Sequence, residues 1–150
     1  MKNFLSFLII LLLIALFLYT GLSKLSEYQS FKLVLSKSPL FSKSTSSAIA
    51  VVLPIGEILL AGFLLVSALF VAKWLPTALA TSGIILIGFT GYLIYMVSFA
   101  QHLPCSCGGV ISKMTWKQHI FFNLFFISIS WFAYSFYKRP RQLLRGVQLT

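Results

Sequence analysis

The chain has 150 residues, of which 59% are hydrophobic and 9% charged, with a formal net charge of +10 and a mean hydropathy of +0.95. A soluble domain carries about 25% charged residues, so this composition excludes an ordinary water-soluble fold and makes the lipid bilayer the solvent for most side chains. The basic residues, twelve Lys and Arg against two Asp and Glu, lie mainly between and after apolar runs, which suits anionic headgroups; no pattern of a nucleic-acid module is present.

The first apolar run, Phe4 to Leu18, closes at Tyr19-Thr20-Gly21. It is long for the apolar part of a signal peptide, and no small-x-small cleavage site follows, so a retained span over about residues 3–21 is expected. The polar interval after it repeats Leu25, Tyr28, Phe31, Val34 and Leu35 at helical spacing, with Lys24, Glu27, Lys32 and Lys37 between. That predicts an amphipathic interfacial helix over about 25–37. Ser38-Pro39 would stop it, and Ser42 to Ser47 reads as a turn back into the membrane. A second span is expected at about 48–72, with Pro54 and Glu57 inside it, and a third at about 77–99 after the turn Lys73-Trp74-Leu75-Pro76. In the third, Gly83, Gly88 and Gly91 predict close helix approach. A cysteine loop at 100–117 precedes a fourth span at about 118–137 and a basic tail at 138–150. The expected fold is a single all-α integral membrane domain, a four-helix bundle with one interfacial helix. The densest cationic cluster is Lys138-Arg139-Pro140-Arg141. It places both termini in the cytoplasm of a bacterial inner membrane and the cysteine loop in the periplasm.

The candidate chemistry centres on Cys105 and Cys107, the only cysteines in the chain. In an extended segment their Cα atoms lie about 6.5–7 Å apart, near the upper end of disulfide geometry. A bond between them would close a small, strained and therefore oxidising ring. Pro104 stiffens the approach and Gly108-Gly109 frees the exit. Lys113, Lys117 and the start of the fourth helix favour a thiolate. The rival reading is a metal: His102, Cys105, Cys107 and His119 supply two sulfurs and two imidazoles for Zn²⁺, or two thiolates for Cu(I), although the spacing matches no recognised zinc pattern. Glu57 is the only acidic residue inside a span. Charge at mid-membrane costs on the order of 2.5–3.5 kcal/mol, so Glu57 must face the bundle or be protonated, either as a structural hydrogen bond or as a proton carrier. On the fourth helix His119, Asn123 and Ser130 share a face, with Trp116 and Tyr134 at its margin. Such a stripe should face the bundle, as interhelical glue or as the lining of a quinone site.

Three short motifs carry a family resemblance. Gly21-Leu22-Ser23-Lys24-Leu25 is similar to a G-x-x-K-L motif at the end of a first helix. Leu53-Pro54-Ile55-Gly56-Glu57-Ile58-Leu59, followed by Gly62, is similar to a proline and glutamate motif in the second. The cysteine loop with Trp116-Lys117-Gln118-His119 and Asn123 resembles redox-associated members. Together they resemble the MauE branch, the methylamine-utilisation membrane proteins, of the DoxX-like superfamily. The resemblance implies a four-helix membrane protein in extracytoplasmic thiol–disulfide chemistry, and for MauE itself a part in maturing the disulfide-rich small subunit of methylamine dehydrogenase. No residue here points to methylamine as a substrate. Membrane thiol oxidases of the VKOR and DsbB groups use C-x-x-C and a second cysteine pair. With one C-x-C pair, electrons must pass to a quinone or to a partner's thiols.

The function expected from these readings is thiol–disulfide exchange with a periplasmic, thioredoxin-like partner or a membrane quinone, which would make the protein an oxidoreductase. Cys105 and Cys107 would exchange electrons, with Glu57, His119, Asn123, Trp116 and His102 in support. The alternatives are a non-catalytic subunit or maturation factor bound to a partner in a membrane complex, and metal handling.

Overall fold

The structure, a computed structural model, describes residues 2–38, 40–99 and 115–147. It consists of α1 (Lys2–Ser26), α2 (Tyr28–Ser36), α3 (Lys43–Leu69), a 3-10 turn (Ala72–Trp74), α4 (Leu75–Phe99) and α5 (Trp116–Val147). Four of these helices are long and apolar enough to cross a membrane: Phe4–Ser26, Ser44–Leu69, Ala72–Phe99 and Lys117–Tyr137. The protein is an all-α integral membrane bundle. Large apolar side chains such as Phe4, Val52, Leu59, Ile84 and Phe121 stay exposed, as expected of surfaces that meet lipid rather than water.

The helices pack as two pairs. α1 lies most extensively on α3, and α4 on α5, while α1–α5 and α3–α4 contacts are sparser. Leu13, Phe17, Leu64, Leu79 and Ala133 form the core where the pairs meet. α2 lies against α3; its buried face of Phe31 and Leu35 joins Ala50, Leu53 and Tyr92 in a second, smaller cluster.

Each tight pair has its own device. In α1, a Cβ at Gly21 would stand 2.9 Å from the Pro54 carbonyl oxygen, 2.8 Å from Ile58 Cγ1 and 3.3 Å from Glu57 Cβ. Only glycine lets α1 approach the α3 backbone this closely. Between α4 and α5, the Ser130 hydroxyl donates to the Leu79 carbonyl at 2.8 Å. Gly83 there receives the Trp131 indole, whose Nε1 would be 3.1 Å from an added Cβ. Gly88 and Gly91 were expected to serve close approach as well, but a Cβ at either would meet nothing within 4 Å.

Two local readings change. α1 continues through Gly21 and Lys24 to Ser26, because Lys24 is buried against a neighbouring helix rather than hydrated. The segment Ser42 to Ser47 is not a turn: Ser42 is the N-cap of α3, accepting from the Thr45 N–H at 3.3 Å, and the Ser46 hydroxyl donates to the Ser42 carbonyl. Serines that favour turns also satisfy the open N–H groups of a helix start. The fourth apolar stretch runs Lys117–Tyr137, and the α5 backbone continues past Pro140 to Val147; a proline removes one ladder bond without obliging the helix to end there.

The two glycine contacts differ in what must yield. Gly21→Ala meets backbone and should destabilise by about 1–3 kcal/mol. Gly83→Ala meets one mobile indole and should cost less. Thermal unfolding in detergent micelles checks this, and equal losses at the two sites would contradict it.

Candidate functional site

Lys24 and Glu57 are both buried, at 7% and 4% exposure. The Lys24 ammonium donates to both Glu57 carboxylate oxygens, at 2.6 and 2.8 Å. The local sequence produces this contact in steps. Glu57 lies near the middle of α3 and Lys24 in the last turn of α1. Gly21, one turn before Lys24, brings the two backbones together, and Glu57 Cβ is itself one of the atoms that crowd Gly21. The ammonium also lies 4.9 Å from the centre of the Phe89 ring on α4 and 5.9 Å from that of Phe31 on α2, so aromatic faces add to its neutralisation. One cation thus ties four helices together.

The pair forms part of the wall of a cavity of about 410 Å³. Leu16, Phe17 and Thr20 of α1 line it, with Phe31 and Leu35 of α2, Ile49 and Leu53 of α3, Gly88, Phe89 and Tyr92 of α4, and His119, Phe122 and Asn123 of α5. The cavity lies between the two tight pairs, and α2 contributes to its side. Phe41, just before α3, packs on Tyr92 with ring centres 6.0 Å apart.

The helix directions locate this cavity in the bundle. α1 ends and α3 begins at one end, with α2 between them. α3 then leads away, α4 returns to Phe99, and α5 departs from Trp116. Residues 100–114 therefore connect helix ends on the same side of the bundle as α2, and the cavity reaches the first turns of α5 at that side.

The expected site residues divide accordingly. Glu57, His119 and Asn123 line one cavity. Asn123 is buried, and the buried Nδ1 of His119 has no hydrogen-bond partner among the described residues. Ser130, on the same face of α5, bonds to α4 instead. The α5 stripe is thus glue at one end and cavity lining at the other. His102, Cys105, Cys107 and the side chain of Trp116, on which the redox and metal readings rest, lie outside the described residues. Composition and spacing missed Lys24, Thr20, Phe31, Phe89 and Tyr92. The signal for Lys24 was available, because an acid inside a span needs a cation, and a lysine in the turn after Gly21 was at hand.

Four spans built from two helix pairs, with a buried ion pair and a polar-edged cavity between them, define an α-helical integral membrane protein with an intramembrane site. The chain belongs to the family described as methylamine utilisation protein MauE, which matches residues 1–136. The match takes in every cavity residue and the two-cysteine segment, and ends before the basic tail. No curated protein and no solved structure matches the chain.

Removing one member of the pair leaves an uncompensated buried charge, which costs about 3–5 kcal/mol. Lys24→Met and Glu57→Gln should each destabilise on that scale, and the double variant should recover much of the loss. Unfolding of all four proteins in micelles measures the coupling, and strictly additive losses would show that the pair carries no interaction energy.

Proposed function

We propose that the protein is a membrane-bound thiol–disulfide oxidoreductase whose working groups are Cys105 and Cys107. A disulfide between them accepts attack by a thiolate of an extracytoplasmic, thioredoxin-like partner. The mixed disulfide is resolved by the partner's second thiol. The partner leaves oxidised, and Cys105 and Cys107 hold the two electrons and, as thiols, two protons. The chain has no second cysteine pair to relay them. The observation that carries this reading is the position of the cavity. Groups able to hold protons, Glu57 with Lys24 and His119, line it, and it reaches the first turns of α5 at the end of the bundle from which residues 100–114 depart. Exchange of this kind belongs in an oxidising compartment. The proposal therefore includes an inner-membrane location, periplasmic cysteines and cytoplasmic termini, in keeping with the cationic tail.

Two measurements test this. With the leaving cysteine replaced by Ser, the cysteine that the partner attacks should be found in an adduct that reductant releases; replacement of the attacked cysteine should trap nothing. If neither variant forms an adduct and the double Ser variant keeps full function, the dithiol is not the working part, and a maturation or subunit role takes its place. A fall in metal content in both variants, without an adduct, would favour a metal site. For orientation, cysteine introduced at Lys113 should react with a membrane-impermeant thiol reagent in intact cells, and cysteine at Arg141 should not. The opposite labelling would put the dithiol in a reducing compartment.

A further inference from the structure

We propose that the cavity between the α1–α3 and α4–α5 pairs is the binding site for a membrane quinone. Its redox role rests on the dithiol reading above, but the binding itself does not.

Four features of the cavity select this class of ligand. Its walls are mainly Leu, Ile and Phe, most of them on the four helices long and apolar enough to cross the bilayer and the rest on and after α2, so the occupant is an apolar molecule that arrives through lipid. Its volume of about 410 Å³ falls in the range of small-ligand pockets, about 300–1,000 Å³. That holds a substituted ring and the start of an isoprenoid tail. Its polar groups are few and suited to an occupant that changes between acceptor and donor. His119 and Asn123 stand one helical turn apart on α5, and the His119 Nδ1 is buried without a partner among the described residues. An imidazole donates or accepts according to tautomer, and a carboxamide does both. A quinone carbonyl accepts a hydrogen bond, and the corresponding quinol hydroxyl donates one. A lipid acyl chain would use neither group. An anionic headgroup would find the Lys24 ammonium already bonded to both oxygens of Glu57 and would meet that carboxylate as well. Finally, α4 leaves the space open at Gly88, where an added Cβ would meet nothing within 4 Å although the residue lines the cavity.

The redox step balances without another reagent. Cys105 and Cys107 form one S–S bond and release two electrons and two protons. The quinone takes up both and leaves as quinol, and the disulfide is then ready for the next partner dithiol. His119 supplies the hydrogen bond that remains with the ring oxygen in both states.

The test uses purified full-length protein in micelles and two probes, decylubiquinone and a photoreactive azidoquinone. Decylubiquinone should bind saturably, and the azidoquinone should label peptides containing residues 85–93 or 119–123. Gly88→Phe should abolish binding while leaving the unfolding temperature unchanged, since the space it fills is vacant. Should Gly88→Phe fail to fold, Asn123→Leu and His119→Phe provide the same reading through binding about tenfold weaker, the scale of one buried hydrogen bond. Undiminished binding to Gly88→Phe or to both α5 variants, labelling confined to other helices, or a phospholipid held in the cavity with no quinone binding would overturn the proposal. The variant with Ser at both 105 and 107 separates the two readings. It should bind decylubiquinone normally and fail only to reduce it. Normal binding to wild type with no reduction and no partner adduct defeats the dithiol reading and leaves the site standing. Adducts without quinone binding do the reverse.

Discussion

A carboxylate in the middle of an apolar helix must be protonated or neutralised by a cation before that helix can rest in lipid, and here a cation comes from the last turn of α1. Much else in the bundle follows from bringing Lys24 to Glu57. Lys24 and Glu57 meet because Gly21 has no side chain and the α1 backbone can settle against the Pro54 carbonyl. The ammonium is held where Phe31 and Phe89 can face it, which draws α2 and α4 toward the same point. The short motifs at residues 21–25 and 53–59 are thus the two sides of one helix crossing. Each residue type has a physical reason: glycine for contact, lysine and glutamate for neutralisation.

The membrane architecture was legible because a run of twenty apolar residues has few alternatives to a transmembrane helix. The end of α1 was not, because hydropathy falls at Gly21 and Lys24 as it would at a membrane surface, whereas here it falls at a buried polar contact. Glu57 stood out by its charge alone. Its partner lies on another helix, and pairing at that distance is a tertiary fact that periodicity does not carry. The α5 stripe of His119, Asn123 and Ser130 faces inward as its spacing suggested, but its division between cavity and interhelical bond depends on what other helices place opposite each residue. The third-span glycines show the same limit: Gly83 admits a tryptophan and Gly88 leaves a space, and identical residues in one helix give no local sign of which does which.

The cavity and the two-cysteine segment are close neighbours in chain order at α5. The segment joins α4 to α5 at the end of the bundle where the cavity reaches the first turns of α5. The cavity offers protonatable groups and an apolar interior. The MauE family match spans the residues of both the chamber and the two-cysteine segment.

The ion pair also bears on how the protein is assembled. α4 carries no charged side chain and enters lipid on its hydropathy alone. α3 does not: until α1 lies beside it, it presents a lone acid to the membrane interior. During synthesis α1 comes first and its lysine, close to a helix end, can reach toward headgroups while it waits. The arrival of α3 then withdraws that lysine from the surface. The ion pair thus makes the stability of the second span in lipid depend on its docking against the first.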